Sequence, residues 1–144
     1  MLIRKATPTE AGVLGNLAAR MWEHDPAELA AEFAVLTASN EAACFLAIDG
    51  ETPIGFAQCQ LRHDYVEGCE TSPVGFLEGI YVAEGHRLTG TGRALLSACE
   101  GWARSLGCTE FASDCELDNM ISLAWHMKNG FREMGRTIWF AKKL

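Results

Sequence analysis

The chain reads as a mixed α/β domain, and two observations carry that reading. Strand-like apolar runs and amphipathic helical stripes alternate in the order β-α-α-β-β-β-α-β-α-β-β, which asks for one mixed sheet with helices on both faces. At its centre Phe76-Leu-Glu-Gly-Ile-Tyr-Val82 runs into Arg87-Leu-Thr-Gly-Thr-Gly-Arg93, a glycine-rich turn that opens an amphipathic helix. A chain of 144 residues can bury one proper core, so residues 1–144 are read as a single domain.

Leu2 to Ala6 is expected as the first strand. Thr7-Pro8-Thr9-Glu10 has the form of a capping box with proline at the first helical position. The helix that follows carries Val13, Leu14, Leu17, Ala18 and Met21 on one stripe. Asp25-Pro26-Ala27-Glu28 repeats the start signal for a second helix, with Leu29, Phe33 and Leu36 inward. Between the two lies Trp22, either a cover for the core edge or a stacking platform for a sugar.

Ala43 to Ile48 and Ile54 to Leu61 form two strands around the turn Asp49-Gly50-Glu51-Thr52. Arg62 to Val74 is a long acidic loop, of the kind that often carries function in a compact domain. After the central strand, a helix from about Thr91 to Ser105 turns Leu95, Leu96, Cys99 and Trp102 to the sheet and stops at Gly107. Thr109 to Ser113 is a further strand with Asp114 at its end. A last helix spans Met120 to Lys128 and stops at Asn129-Gly130. Phe131 to Met134 and Thr137 to Ala141, turning at Gly135, are expected as a closing pair of strands.

The charge balance excludes some functions. A net charge of −7 lacks the basic face that nucleic acid requires. No apolar run approaches the ~18–20 residues of a membrane span, and Met-Leu-Ile-Arg-Lys reaches charge without an apolar signal core. A cytoplasmic protein is expected. The six cysteines fall mostly within apolar runs, without CxxC pairs, and are read as reduced, packed thiols; Cys59, His63 and Cys69 come nearest to a metal cluster, and no metal is expected. Lys and Arg are absent between Arg62 and Arg87, a span holding Asp64, Glu67, Glu70, Glu78 and Glu84. They are absent again between Arg104 and Lys128, which encloses Glu110, Asp114, Glu116 and Asp118. If the two spans meet, they form a negative cleft for a polycation; if not, they are solvated acidic surface.

The turn at Arg87 to Arg93 is either an anion site, which its chemistry suits, or an ordinary strand-to-helix turn. Gly90 and Gly92 permit a sharp turn and close backbone approach, and the helix start supplies free N–H groups and a positive dipole end. Arg87 adds a cation. A P-loop would need Gly-Lys-Ser/Thr where Gly92-Arg93-Ala94 stands, and a dinucleotide fingerprint would need a small residue in place of Leu95.

Arg87-x-x-Gly90-x-Gly92 resembles the pyrophosphate loop of the GNAT superfamily of N-acetyltransferases. Asn119-x-x-Ser122-x-x-Trp125-His126-x-x-x-Gly130-Phe131 resembles that superfamily's second signature, in the expected order downstream. The resemblance covers nearly the whole chain. It implies a largely antiparallel sheet of six to seven strands, splayed in the middle, with about four helices on both faces. Arg62-His-Asp-Tyr-Val-x-Gly-Cys-x-x-Ser-Pro-Val74, the run into Phe76-Leu-Glu-Gly-Ile80, Trp22, Asp114 and His126 are similar to aminoglycoside 6'-N-acetyltransferases. That family moves the acetyl group of acetyl-CoA to the 6'-amino group of the antibiotic. The sequence departs from many acetyltransferases at Glu84, where Pro is common, and at His126, where a Tyr protonates the departing thiolate.

The resemblance implies a site. Ile80, Tyr81 and Val82 would pair with the pantetheine arm, and Leu88, Thr89, Gly90, Thr91, Gly92 and Arg93, with Arg87 and Asn119, would hold the rest of acetyl-CoA. A backbone N–H near Ile80 would polarise the thioester carbonyl as the tetrahedral intermediate forms. Glu78 is expected as the base that takes the ammonium proton, and Asp114 as the partner that holds the amine or shares the task. A carboxylate in mid-strand is costly to bury without purpose. His126 is either a general acid or a core histidine. Trp22, Tyr65 and Glu70 are expected to grip the amino-sugar rings. Another cationic amine (a polyamine, a protein N-terminus or a lysine) is the alternative acceptor, and a non-catalytic acyl-CoA sensor is the alternative class. A homodimer through Phe131 to Leu144 is also expected.

Overall fold

The computed structural model describes all of residues 1–144. The strands are β1 (Leu2–Lys5), β2 (Ala42–Asp49), β3 (Thr52–Arg62), β4 (Val74–Val82) and β5 (Phe111–Ser113), and the helices α1 (Ala11–Ala18), α2 (Pro26–Thr37), α3 (Thr91–Ser105) and α4 (Met120–Lys128). A 3₁₀ turn, Pro8–Glu10, leads into α1. There the amide of Thr7 donates to Glu10 Oε1 at 3.0 Å, the backward half of the expected capping box.

The sheet runs β1-β2-β3-β4-β5. Every neighbour is antiparallel except β4 and β5, which run parallel. Alternation along β2 shows why both faces are covered. Cys44 and Leu46 join Leu14, Leu17, Leu29, Phe33 and Phe56 beneath α1 and α2. Ala43, Phe45 and Ala47 join Ala57, Cys59, Leu77, Leu95, Leu96 and Cys99 beneath α3 on the other side. Each aromatic here fills a tight slot: Phe33 and Phe56 meet edge to face with centroids 5.6 Å apart. Removing either ring would cost about 3–5 kcal/mol.

Only five strands form, against the six to seven expected. Phe131 to Met134 and Thr137 to Ala141 carry strand-like sequence but make no ladder. Ile138, Trp139 and Phe140 stand 74%, 87% and 91% exposed. A strand exists only where it bonds to an edge, and this segment pairs with none of the free edges of its own sheet.

The splay follows from the pairing. β5 meets β4 only from Gly75 to Leu77, opposite Phe111 to Ser113. Beyond Leu77, β4 continues against β3 alone, so its other edge opens from Glu78 to Val82. Val82 carbonyl faces that open edge, where it accepts from Arg87 Nε at 2.8 Å. Ile80, two residues earlier on the same ladder, presents its amide to the same side.

Candidate active site

Glu78 sits at a β-bulge. Gln58 pairs with Gly79 and Cys59 pairs with Leu77, so Glu78 is the extra residue with no partner opposite. Bulges re-aim side chains, and this one does so where the sheet begins to open. The Glu78 carboxylate receives Arg62 Nη2 on both oxygens, at 2.5 and 2.9 Å. The Arg62 guanidinium lies over the Phe76 ring, 3.5 Å from its centroid.

A cavity of about 380 Å³ lies beside this carboxylate, lined by Trp22, His24, Glu32, Phe33, Gln58 and Glu78 among others. It is walled by residues from the α1–α2 connection, α2, β3 and β4, so no single segment announces it. The Trp22 indole meets the Phe56 ring edge-on at 6.1 Å and rests on Gly79. Trp22 therefore covers the core edge and lines the cavity at once. The sequence reading missed His24, Glu32 and Gln58 here, and missed Arg62 as the partner of Glu78. Gln58 and Arg62 share a face of β3 by their even spacing, the one signal that could have linked them.

The glycine turn is an open amide nest. Gly90 adopts φ 85° as the residue before α3, a conformation that glycine enters without strain. Ala94 is the first helical amide to bond backward, to Gly90 carbonyl at 3.0 Å. The amides from Leu88 to Arg93 meet no protein acceptor, and around a Cβ at Gly90 there is open space. Thr89 Oγ1 fixes the turn by donating to His86 carbonyl at 2.6 Å, and it lies 2.9 Å from Thr91 Oγ1. Gly92 has a second reason to lack a side chain, since its Cβ would stand 3.2 Å from Trp125 Nε1. Arg87 folds back on β4, with its guanidinium 5.7 Å from the centroid of the Tyr81 ring. This nest fits a pyrophosphate: it offers several convergent N–H donors at a helix start and no carboxylate among them.

His126 is tied at both nitrogens. Nδ1 lies 2.7 Å from Ser122 carbonyl, which can only accept, so Nδ1 carries the proton; Nε2 faces Ser113 Oγ at 2.8 Å. The same Ser113 hydroxyl reaches Leu77 carbonyl at 3.3 Å, which links the ring through β5 to β4. The ring also packs against Phe131, 5.0 Å between centroids, while its bond to Ser113 ties α4 to β5 beside the splay.

The remaining candidates lie at the surface. Asp114 follows β5, exposed and without a hydrogen-bond partner. Asn119 caps α4, its side-chain oxygen accepting from Ser122 N–H at 3.0 Å. Tyr65 is exposed, and its hydroxyl donates to Glu67 at 3.3 Å. Glu70 is exposed, and its amide donates to Glu110 at 2.9 Å, as does the Thr71 amide at 2.8 Å. These donors hold the Glu110 carboxyl below its ordinary range, the Thr71 hydroxyl contributing most. Glu110 thereby joins the two acidic spans, although as a strut for the loop.

An edge that opens beside a bare amide nest suits a donor that carries its own phosphates and lies along a strand. With a carboxylate at the opening, fold and site together define a coenzyme A-dependent N-acyltransferase. The chain belongs to the acetyltransferase (GNAT) family, which matches residues 13–131. It is similar to the aminoglycoside N(6')-acetyltransferase type 1 of Stenotrophomonas maltophilia, 45% identical over 146 residues, with 99% of this chain and 93% of the relative covered. Among solved structures it is similar to the aminoglycoside N-acetyltransferase AAC(6')-Iy in complex with CoA, at TM-score 0.94 and 35% identity over 99% of this chain and 95% of the other. AAC(6')-Iy with the bisubstrate analog CoA-S-monomethyl-acetylneamine gives TM-score 0.93 at 35% identity, over 99% and 98% of the two chains.

Proposed function

We propose that this protein transfers the acetyl group of acetyl-CoA to the 6'-amino group of aminoglycoside antibiotics and so confers resistance to them. The observation that carries this reading is Glu78, bulged out of β4 where the sheet opens and facing a cavity walled by Trp22 and Glu32. Acetyl-CoA supplies the activated thioester that the amine attacks directly. The free amides from Leu88 to Arg93 hold its phosphates, and the open edge of β4 at Ile80 and Val82 offers strand-like bonds to its arm.

The acceptor arrives as an ammonium and must lose a proton before it can attack. Glu78 takes that proton, directly or through a water. Asp114, exposed beyond β5, attracts the cation and steadies it. Trp22 lends a flat apolar wall to a sugar ring. Tyr65 and Glu70 extend the grip along the acidic loop. Asn119 supports the donor side by fixing the start of α4. His126 holds α4 against β5 and, as imidazolium, can protonate the departing thiolate. The protein works in the cytoplasm and as a homodimer; the strand-patterned, exposed Ile138 to Phe140 support the pairing of subunits.

Kanamycin incubated with the protein and acetyl-CoA tests the reaction. The expected product is heavier by one acetyl group, with NMR placing it on the 6'-nitrogen. Acetylation of polyamines or peptide amines alone would overturn the choice of acceptor, and no thiol release with any amine would overturn the enzyme.

A further inference from the structure

We infer that Arg62 is a positioning residue for the transfer: by clamping both carboxylate oxygens of Glu78 it aims that base at the opening of the sheet. The inference rests on the reading of Glu78 as the base.

At the bulge, Glu78 has no residue opposite it on β3, so the ladder that fixes its neighbours does not fix its own direction. Something else must. Arg62 stands opposite Val74, four positions back along β4, and reaches Glu78 by lying flat across Phe76. The ring holds the guanidinium plane from below, and Nη2 meets the two oxygens at 2.5 and 2.9 Å. Each oxygen has a second lone-pair site, so the clamp leaves Glu78 able to accept a proton from the substrate side. Its side chains are 40% and 15% exposed, so the arginine end opens to water while the carboxylate it holds is mostly buried. Lysine would not replace the arginine, since a point-like ammonium has no plane to lay on the Phe76 ring and so loses the contact that fixes the donor's direction.

A double-mutant cycle tests the inference on the full-length protein. Arg62→Met should lower kcat by about 10- to 100-fold, the scale of a misplaced catalytic group, with acetyl-CoA KM unchanged. Arg62→Lys should recover little of that loss. Glu78→Gln should lower kcat by at least ~10²-fold. Arg62→Met added to Glu78→Gln should then cost no more than about twofold further, because Arg62 acts only through that carboxylate. Multiplying fold-losses would overturn the positioning role while leaving Glu78 as base. So would wild-type kcat in Arg62→Met, or full rescue by lysine. Wild-type turnover in Glu78→Gln would overturn this inference and the base assignment together. Thermal melts and acetyl-CoA KM for each variant separate a misfolded protein from a misaimed base.

Discussion

Trp22 lies where a side chain at Gly79 would have to be. A Cβ on Gly79 would stand 2.6 Å from Cζ2 and 2.8 Å from Cη2 of the indole, closer than real contacts come. The glycine beside Glu78 thus lets a connection between two helices close down on the central strand, and the indole becomes one wall of the cavity. Gly79→Ala should displace the ring, costing about 1–3 kcal/mol in a denaturant titration. It should raise KM for the aminoglycoside more than KM for acetyl-CoA. Equal effects on both would mean that the wall does not serve the acceptor.

Gly90 offers a cleaner test of the amide nest. Its φ of 85° is the left-handed region, and a Cβ there would meet nothing within 4 Å. Gly90→Ala therefore acts through the backbone alone, at a cost of about 1–2 kcal/mol. If the strain is relieved by moving the turn, the nest is lost, and acetyl-CoA Kd should rise by about tenfold, equivalent to ~1.4 kcal/mol. Gly101→Ala is the control, within α3 and also in open space. It should be neutral or gain up to about 1 kcal/mol of stability, with coenzyme affinity unchanged in calorimetry.

Asp114 is exposed, so its pull on a polycation is felt through solvent. Asp114→Asn should reduce kcat/KM for kanamycin by about two- to fivefold at low salt, the scale of an exposed charge pair. The deficit should shrink as salt is added. A kcat/KM that does not change at low ionic strength would remove Asp114 from substrate attraction.

The N-terminal strand carries a charge pair whose pH dependence has a definite sign. Arg4 Nη1 and Nη2 bond the two oxygens of Glu10 at 2.7 and 2.6 Å. With help from the Thr7 amide, that bonding holds the Glu10 carboxyl down at about 2, against an ordinary 4.5. A lowered value means that the folded state prefers the ionised form. The stabilisation is complete above 4.5 and is lost as the pH falls toward 2. The Tm gap between the wild type and Glu10→Gln should therefore be steady above that window and close within it. A gap that stayed constant down to the acid end would show that the pair does not respond to Glu10 ionisation.

Most of the framework was legible locally. The helix starts at Thr7-Pro8 and Asp25-Pro26, the α3 stripe of Leu95, Leu96 and Cys99, and the turn at Gly90 depend on neighbours within one or two helical turns. Periodicity and capping report those directly. The closing strands were misread for a related reason: Ile138, Trp139 and Phe140 have strand chemistry, but a strand exists only where an edge accepts it.

The residues around Glu78 mark where local reading stops. Sequence alone placed a carboxylate on the central strand, a glycine-rich turn after it and an acidic loop before it, because composition and spacing express these. Only the tertiary structure made Glu78 a bulge, since a bulge is a mismatch of register between two strands and neither strand contains it by itself. The same holds for Arg62 stretched over Phe76, for Glu110 bracing a loop some forty residues away, and for Glu32 facing the cavity from α2. Contacts of that kind depend on how the sheet twists and on which helix packs across it, and the balance of many weak packing terms decides both.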